Sequence, residues 1–242
     1  VFVHPNRHVV LLGTQPQSTS SIDPLQVRWS DRDNLEEITA SAGNRAGSYR
    51  LRGASEIIGY SNSKRETLIF TDNNVWAMRP LNNSFVFGFE VLADNAGAIS
   101  QHCAADVDGV VFWMSNSGDF YMYNGQIQKI PCTVRDFIFG DGGDDIGDIK
   151  QSQREKIFCG VNKKFGEVWW FYESNDENVN EVDSYVKYNF EGGSWDVGKL
   201  SRTVWADASL LDNPVAVGGE DSLIYSHEVG VDDDGQRIKS FF

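Results

Sequence analysis

The chain has 242 residues, 40% hydrophobic and 12% aromatic, enough apolar material for one large all-β domain or two smaller ones. Its formal net charge of −14, from 35 acidic against 21 basic side chains, excludes a protein that wraps nucleic acid as a ligand. Gripping duplex phosphates takes clustered Lys and Arg, and no such cluster occurs. A mean hydropathy of −0.37 and the lack of any apolar run of about 18 residues exclude a helical membrane span.

In chain order, the first apolar arms are Val9-Val10-Leu11-Leu12 and, beyond a long polar loop, Leu25-Gln26-Val27-Arg28-Trp29. Ser30-Asp31 ahead of Leu35-Glu36-Glu37-Ile38 marks the one candidate helix, no longer than a turn. Glu56-Ile57-Ile58-Gly59-Tyr60 predicts a strand that leads into the sharpest hairpin. Its arms are Thr67 to Thr71 and Val75 to Arg79, reversing at Asp72-Asn73-Asn74, and Phe85 to Phe89 follows as a further strand. β-Branched and aromatic arms around Asx residues, which tolerate left-handed backbone, are the chemistry of a tight β-reversal.

A further hairpin runs Val110 to Met114, turns through Ser117-Gly118 and returns as Phe120 to Tyr123. The next is Ile157-Phe158-Cys159, Asn162-Lys163-Lys164, then Val168 to Tyr172. Tyr185 to Tyr188 and Trp195-Asp196-Val197 follow, separated by Gly192-Gly193. The last is Val215-Ala216-Val217, Gly218-Gly219-Glu220-Asp221, then Leu223-Ile224-Tyr225.

The second arms therefore begin near Leu25, Val75, Phe120, Val168 and Leu223. A period of about 45–55 residues suits one four-stranded propeller blade. Many arms are apolar at consecutive positions, as in strands buried on both faces. The expected fold is all-β and β-propeller-like: about five blade-like repeats of four antiparallel strands over 1–242, as one domain or part of a larger propeller. Polar insertions fall at Ser18 to Ser21, Gly140 to Asp148, Glu173 to Asp183 and Asp232 to Gly235. The ends, Val1-Phe2-Val3-His4-Pro5 and Ile238-Lys239-Ser240-Phe241-Phe242, read as an excerpt of a longer chain.

Motifs for chemistry are sparse. Cys103, Cys132 and Cys159 sit singly on apolar stretches, which predicts buried reduced thiols rather than disulfides or a zinc site. Gly140 to Asp148 and Asp232-Asp233-Asp234-Gly235 carry oxygen ligands suited to Ca²⁺, but not the alternate carboxylates and closing Glu of an EF-hand; solvated acidic loops are expected. His4, His8, His102 and His227 are scattered, and His227-Glu228 has no second His four positions on, so structural histidines are expected. Glycoside hydrolysis needs only two suitably spaced carboxylates, which 35 acidic residues leave open. Ser115-Asn116-Ser117-Gly118-Asp119 lacks the Ser-x-Asp-x-Gly-x-x-Trp order of sialidase-type propellers. The Trp and Tyr residues fall mainly within strands, as core packing requires. No catalytic, cofactor-binding or metal-binding residue is nominated, and no cofactor is expected.

Val27-Arg28-Trp29-Ser30-Asp31, Gly109 to Met114, Ile130-Pro131-Cys132 with Asp136 to Phe139, Glu167 to Tyr172, Arg202-Thr203-Val204-Trp205 and Tyr225 to Asp234 form an ordered set covering most of the chain. In that order they resemble a family of virion structural proteins of tailed double-stranded DNA phages, described as tail nozzle, tail hub or packaged-DNA stabilisation proteins. The resemblance implies a β-propeller within a homo-oligomeric ring below the portal, in contact with other phage tail or portal and adaptor proteins. It implies a location in the virion tail after assembly in the host cytoplasm, and DNA passing through without specific binding. Family members are longer, and no catalytic motif carries over. A carboxylate-rich lumen would then repel the duplex and keep it centred. A carbohydrate- or receptor-binding propeller is the alternative, and a propeller glycosidase the third.

Overall fold

The structure, a computed structural model, describes residues 1–81, 85–142, 147–207, 213–219 and 221–230. Blade 1 comprises β1 (Phe2–His4), β2 (His8–Leu12), β3 (Gln26–Trp29) and β4 (Gly47–Arg50). Blade 2 comprises β5 (Ile57–Asn62), β6 (Thr67–Thr71), β7 (Val75–Pro80) and β8 (Phe87–Ala93). Blade 3 comprises β9 (Ala104–Val107), β10 (Val110–Met114), β11 (Phe120–Tyr123) and β12 (Ile127–Ile130). Blade 4 comprises β13 (Phe158–Asn162), β14 (Glu167–Tyr172), β15 (Ser184–Asn189) and β16 (Ser194–Lys199). Blade 5 has three strands among the described residues: β17 (Arg202–Ala206), β18 (Val215–Gly218) and β19 (Ile224–Ser226). Each sheet is an antiparallel meander in sequence order.

Local chemistry sets the reversals. In the β9–β10 hairpin, Val107 pairs with Val110 across Asp108-Gly109, both at positive φ (52° and 88°). That is the left-handed pair a two-residue primed turn requires. At the β6–β7 turn the Thr71 hydroxyl accepts the N–H groups of Asn73 (3.2 Å) and Asn74 (2.7 Å). Backbone groups with no ladder partner are thereby satisfied within the turn.

The first strands of successive blades lie side by side, which gives the sheets their radial order. Phe2 of β1 stacks on Tyr60 of β5 with ring centroids 4.0 Å apart. Gly59 of β5 approaches so closely that a Cβ there would lie 2.8 Å from the carbonyl of Gln101, just ahead of β9. His102 and Phe158 form a parallel bridge, and a Cβ on Gly160 of β13 would lie 2.7 Å from the Trp205 ring of β17.

Between the blades the core is an aromatic ladder. Trp29 meets Phe87 (5.3 Å), Phe70 meets Trp113 (5.2 Å), Phe120 meets Trp170 (4.9 Å) and Trp169 meets Trp205 (5.7 Å). Consecutive residues of one strand serve two interfaces. Val168, Trp170 and Tyr172 of β14 join the core toward blade 3, whereas Trp169 and Phe171 join the core toward blade 5. Leu68 and Phe70 of β6 likewise oppose Ile69, which faces blade 1. Each such side chain contributes about 1.5–3 kcal/mol on burial, so the unbroken apolar runs are what hold blade to blade.

The all-β, propeller-like architecture expected from the repeats is the one observed. Leu35 to Ile38, the candidate helix, is instead loop between β3 and β4. Asp33 is at φ 60°, Asp31 and Asn34 form a bridge, and Arg28 Nη2 takes the Ile38 carbonyl at 2.7 Å, leaving no helical ladder. The helix that does form, α1 (Arg135–Phe139), lies in the connection from blade 3 to blade 4 and buries only Ile138. The repeat also slips in phase. The arms at Leu25, Val75, Phe120 and Leu223 lead third strands, but Val168 lies on β14, a second strand.

Candidate functional site

In a four-stranded meander, the loops between second and third strands emerge at the same end as the connections between blades. That end gathers the 72–74, 115–119 and 173–183 loops with the 51–56 and 94–103 connections and the described parts, 131–142 and 147–157, of the next one. Here a cleft of about 430 Å³ opens between blades 2 and 3 and the entry to blade 4, rimmed by Glu56, Asp72, His102, Asn116, Arg154 and Glu155.

Several of these side chains act as scaffold. Asp72 Oδ1 accepts the N–H groups of Ser55 (2.9 Å) and Glu56 (3.3 Å), fixing the connection into β5. Arg154 Nη1 donates to Asn116 Oδ1 at 3.0 Å, and the Ser100 hydroxyl donates to the Ile157 carbonyl at 2.6 Å. Glu56, His102 and Glu155 are left exposed at the lips. None of the three rim carboxylates is buried, so the cleft lacks the desolvated acid that general acid catalysis uses. With three carboxylates against one guanidinium, the cleft is suited to binding polar or cationic groups. Its rim residues come from five separate loops and connections, and no sequence spacing links them.

Two of the acidic insertions meet on this same face. Asn175 Nδ2 donates to the carbonyls of Gly147 (2.7 Å) and Ile149 (3.2 Å), and the Tyr172 hydroxyl donates to Asp148 Oδ2 at 2.8 Å. Burial, with the Asp148 carboxylate beside it, pushes the Tyr172 phenol well above its usual range. Glu173 is buried, and its two oxygens accept Lys150 Nζ and Lys156 Nζ, each at 2.6 Å. Burial alone would raise the pKa of Glu173, but the two ammonium hydrogen bonds outweigh it and hold the carboxyl below the usual glutamate value. A carboxylate saturated by ammonium groups is not a calcium ligand. Residues 143–146 of the first expected acidic loop, and all of Asp232 to Gly235, lie outside the described residues. Among the described residues no group of three or more His, Cys, Asp or Glu is placed to hold a metal ion.

The histidines are brought to different places. His4 and His8 are cross-strand partners, both buried and edge-on to Phe87 at 4.8 and 5.3 Å. Burial, with His8 adjacent, pushes His4 down to about 4. His227 Nε2 accepts from Arg202 Nε at 3.1 Å and lies against Trp205, and His102 alone reaches the cleft. Cys103 is buried, as expected, with Sγ donating to the Met114 carbonyl at 3.2 Å, whereas Cys132 and Cys159 are only partly covered. All three are free thiols, and burial raises each, Cys132 to about 11.

Trp29, Trp76, Trp113, Trp169 and Trp170 are buried in the core as their strand positions predict. The rim is less uniformly covered. Tyr49, 38% exposed, stacks parallel on Phe89 at 4.4 Å and lines a groove with Trp29, Phe85 and Arg45 at the outer edge of blades 1 and 2. No helix among the described residues is long and apolar enough to cross a membrane.

No protein-family model and no curated protein sequence matches the chain. Among solved structures it is similar to Hsv2 of Kluyvelomyces marxianus, with 8% identity and a TM-score of 0.46 over 89% of this chain and 57% of that one. BamB of Moraxella catarrhalis aligns at 10% identity and TM-score 0.39, over 90% of this chain and 66% of BamB. An apocarotenoid oxygenase from Synechocystis aligns at 11% identity and TM-score 0.35, over 83% of this chain and 50% of the oxygenase. The chain thus spans between half and two thirds of these proteins, and the likenesses are too distant to bear on activity. On its own geometry the molecule is a propeller-like body of packed blades, an architecture suited to binding.

Proposed function

We propose that this chain is a non-enzymatic structural component of a tailed-phage virion, part of the ring-shaped conduit at the tail or head–tail junction through which DNA is retained and ejected. The observation that carries the reading is the placement of the stretches similar to that phage family. Val27 to Asp31 lies on β3 and its exit, Gly109 to Met114 on β10, Glu167 to Tyr172 on β14 and Arg202 to Trp205 on β17. Four of the six similar stretches therefore lie on strands that make blade-to-blade contacts, which suits a passive scaffold; Asp136 to Phe139 lies on α1, and Tyr225 to Asp234 runs from β19 out of the described residues.

The distribution of charge supports the same reading. Ionisable side chains inside the body serve as ties: Glu173 to Lys150 and Lys156, Glu66 to Arg79, and Arg28 to the carbonyls of Gln15 and Ile38. Most of the other acidic side chains among the described residues lie on loops, where they would repel phosphate and leave passing DNA unbound. Electron microscopy of the purified full-length protein tests the proposal. Rings with a central opening of DNA width, and no turnover across a broad panel of chromogenic glycosides, are expected. Monomeric particles, or cleavage of a glycoside, would overturn it.

A further inference from the structure

The loop closing the β11–β12 hairpin holds the one Asn-Gly pair of the sequence, Asn124-Gly125. Tyr123 and Ile127 are the cross-strand partners nearest the turn, so Asn124, Gly125 and Gln126 make the reversal, and all three are exposed. Gly125 is at φ 110°, which side chains rarely adopt, and nothing lies within 4 Å of where its Cβ would be. Among the described residues no hydrogen bond engages the Gly125 N–H or the Asn124 carboxamide. The other described asparagines followed by Ser or Ala are tied. Asn62 Oδ1 accepts the Thr67 hydroxyl at 2.7 Å, and the next N–H, of Ser63, donates to the Glu66 carbonyl at 2.9 Å. Asn116 Oδ1 accepts Arg154 Nη1 at 3.0 Å, while the Ser117 N–H donates to Ser115 Oγ at 3.1 Å. Beyond Asn95, the Ala96 N–H is held by the Asn73 carbonyl at 3.0 Å.

We propose that Asn124 is a site of self-modification: the Gly125 nitrogen closes an imide on the Asn124 side chain, and water opens it to aspartate and isoaspartate. The Gly125 amide nitrogen, on losing its proton, attacks Asn124 Cγ. The N–Cγ bond forms as Cγ–Nδ2 breaks, and Nδ2 leaves with protons from solvent as ammonia. Water then adds to one imide carbonyl. Breaking the bond from nitrogen to Cγ leaves aspartate. Breaking the bond to the Asn124 main-chain carbon leaves isoaspartate, with the chain rerouted through the side chain. One water is consumed and one ammonia released, and no oxidant is needed. Ring closure calls for a free N–H, a carboxamide at liberty to turn toward it and no Cβ in the way, and this turn supplies all three. The same turn lines a hollow of about 180 Å³ together with Lys64 and Arg65 of the β5–β6 turn. Neither cation has an ion-pair partner among the described residues, whereas Asp108 on the same hollow faces Lys163 at 3.4 Å. Two unneutralised cations favour the anionic nitrogen and the oxyanions of the reaction. The product carboxylate then faces them, so modification puts a salt-sensitive charge tie between blades 2 and 3 in place of a neutral amide. None of this depends on the phage assignment.

Peptide mapping of the full-length protein, kept folded in mildly alkaline buffer and sampled over time, tests the assignment. The peptide carrying Asn124 should convert ahead of every other asparagine, to both aspartate and isoaspartate. The intact protein should shift by one charge toward acid on isoelectric focusing. Asn124→Gln, which would have to close a larger and slower ring, should abolish that shift. Lys64→Gln and Arg65→Gln should each slow conversion severalfold, most clearly at low salt. Asn124, Lys64 and Arg65 are exposed, so each variant should keep the wild-type near-ultraviolet circular dichroism. A urea-unfolded sample gives the rate set by sequence alone, which the folded protein should match or exceed. An Asn124 amide that persists in the folded protein while the unfolded chain converts would overturn the assignment. So would aspartate without isoaspartate, the mark of direct hydrolysis. Conversion indifferent to both Lys64→Gln and Arg65→Gln would overturn the part given to the cations.

Discussion

The indole N–H of Trp170, on the second strand of blade 4, donates to the carbonyl of Cys103 in blade 3 at 2.8 Å. Trp205 of blade 5 does the same to Val161 of blade 4 at 2.9 Å, and Trp195 of blade 4 reaches the Pro131 carbonyl behind blade 3 at 2.8 Å. Each tryptophan thus fills the gap between two sheets with its ring and satisfies a carbonyl of the preceding blade with its nitrogen. The same residue supplies dispersion and a directional tie, which fixes how far one blade can slide along the next.

Trp170 separates those two contributions. Trp170→Phe keeps most of the ring but leaves the Cys103 carbonyl only the longer 3.4 Å bond from the Met114 N–H, which costs about 1–3 kcal/mol. Trp170→Ala adds a cavity in the blade 3–blade 4 core and costs about 3–5 kcal/mol. Urea denaturation of both variants checks the order. Equal losses would mean that the hydrogen bond contributes nothing beyond packing.

Gly160 gives the complementary test, of a space that has to stay empty. A Cβ there would lie 2.7 Å from the Trp205 ring, which also packs on His227 at 4.8 Å. Gly160→Ala should therefore push blade 5 off blade 4, at a cost of about 1–3 kcal/mol for overpacking. The readout is a changed near-ultraviolet tryptophan signal with normal far-ultraviolet circular dichroism. An unaltered signal would mean that blade 5 is not seated on Gly160.

The parts of this architecture that were legible in sequence are those carried by unbroken apolar runs. Thr67 to Thr71 and Val168 to Tyr172 could be read as strands buried on both faces, because consecutive residues such as Trp169 and Trp170 serve different interfaces. The phase of the repeat was not legible at Val168, since an aromatic arm after a polar turn looks alike whether it is a second or a third strand. α1 escaped because a five-residue helix burying Ile138 alone has no periodicity to detect. The cleft was invisible for a different reason. Glu56, Asp72, His102 and Arg154 are ordinary turn and connection residues until the blades bring them to one rim.

The Glu173 cluster ties the long insertion after β14 to the connection ahead of β13. Lys150 Nζ also donates to the Val179 carbonyl at 3.1 Å, and Lys156 Nζ to that of Asn180. Glu173→Gln removes the charge that both ammonium groups face. The expected loss is about 1–3 kcal/mol, less than for a fully buried pair because the lysines still reach water. The carboxyl is held below its ordinary value of 4.5, so its contribution is complete above that pH and disappears as acid protonates the folded protein. Limited proteolysis should cut the 173–183 insertion faster in the variant at neutral pH and in the wild type at strongly acidic pH. Equal cutting of the two proteins at neutral pH would show that the loop is held by other contacts.

His4 predicts a second acid sensitivity, set at higher pH. Its Nδ1 accepts the Asn6 N–H at 3.1 Å, the ring packs on Phe87, and His8 stands opposite it, so the folded protein holds the neutral imidazole down to about pH 4. The unfolded chain takes up that proton near the ordinary value of 6.5. Between the two values the unfolded state binds more protons, so stability falls as the pH drops from about 6.5 toward 4 and is indifferent to this group below that. The full shift corresponds to a loss of about 3 kcal/mol. His4→Gln has nothing to titrate, and it should start less stable at neutral pH through imperfect packing on Phe87 but lose less on acidification. Urea midpoints of both proteins at pH 7 and pH 4.5 decide the matter: parallel losses would show that the pocket around Phe87 opens to water before His4 is charged.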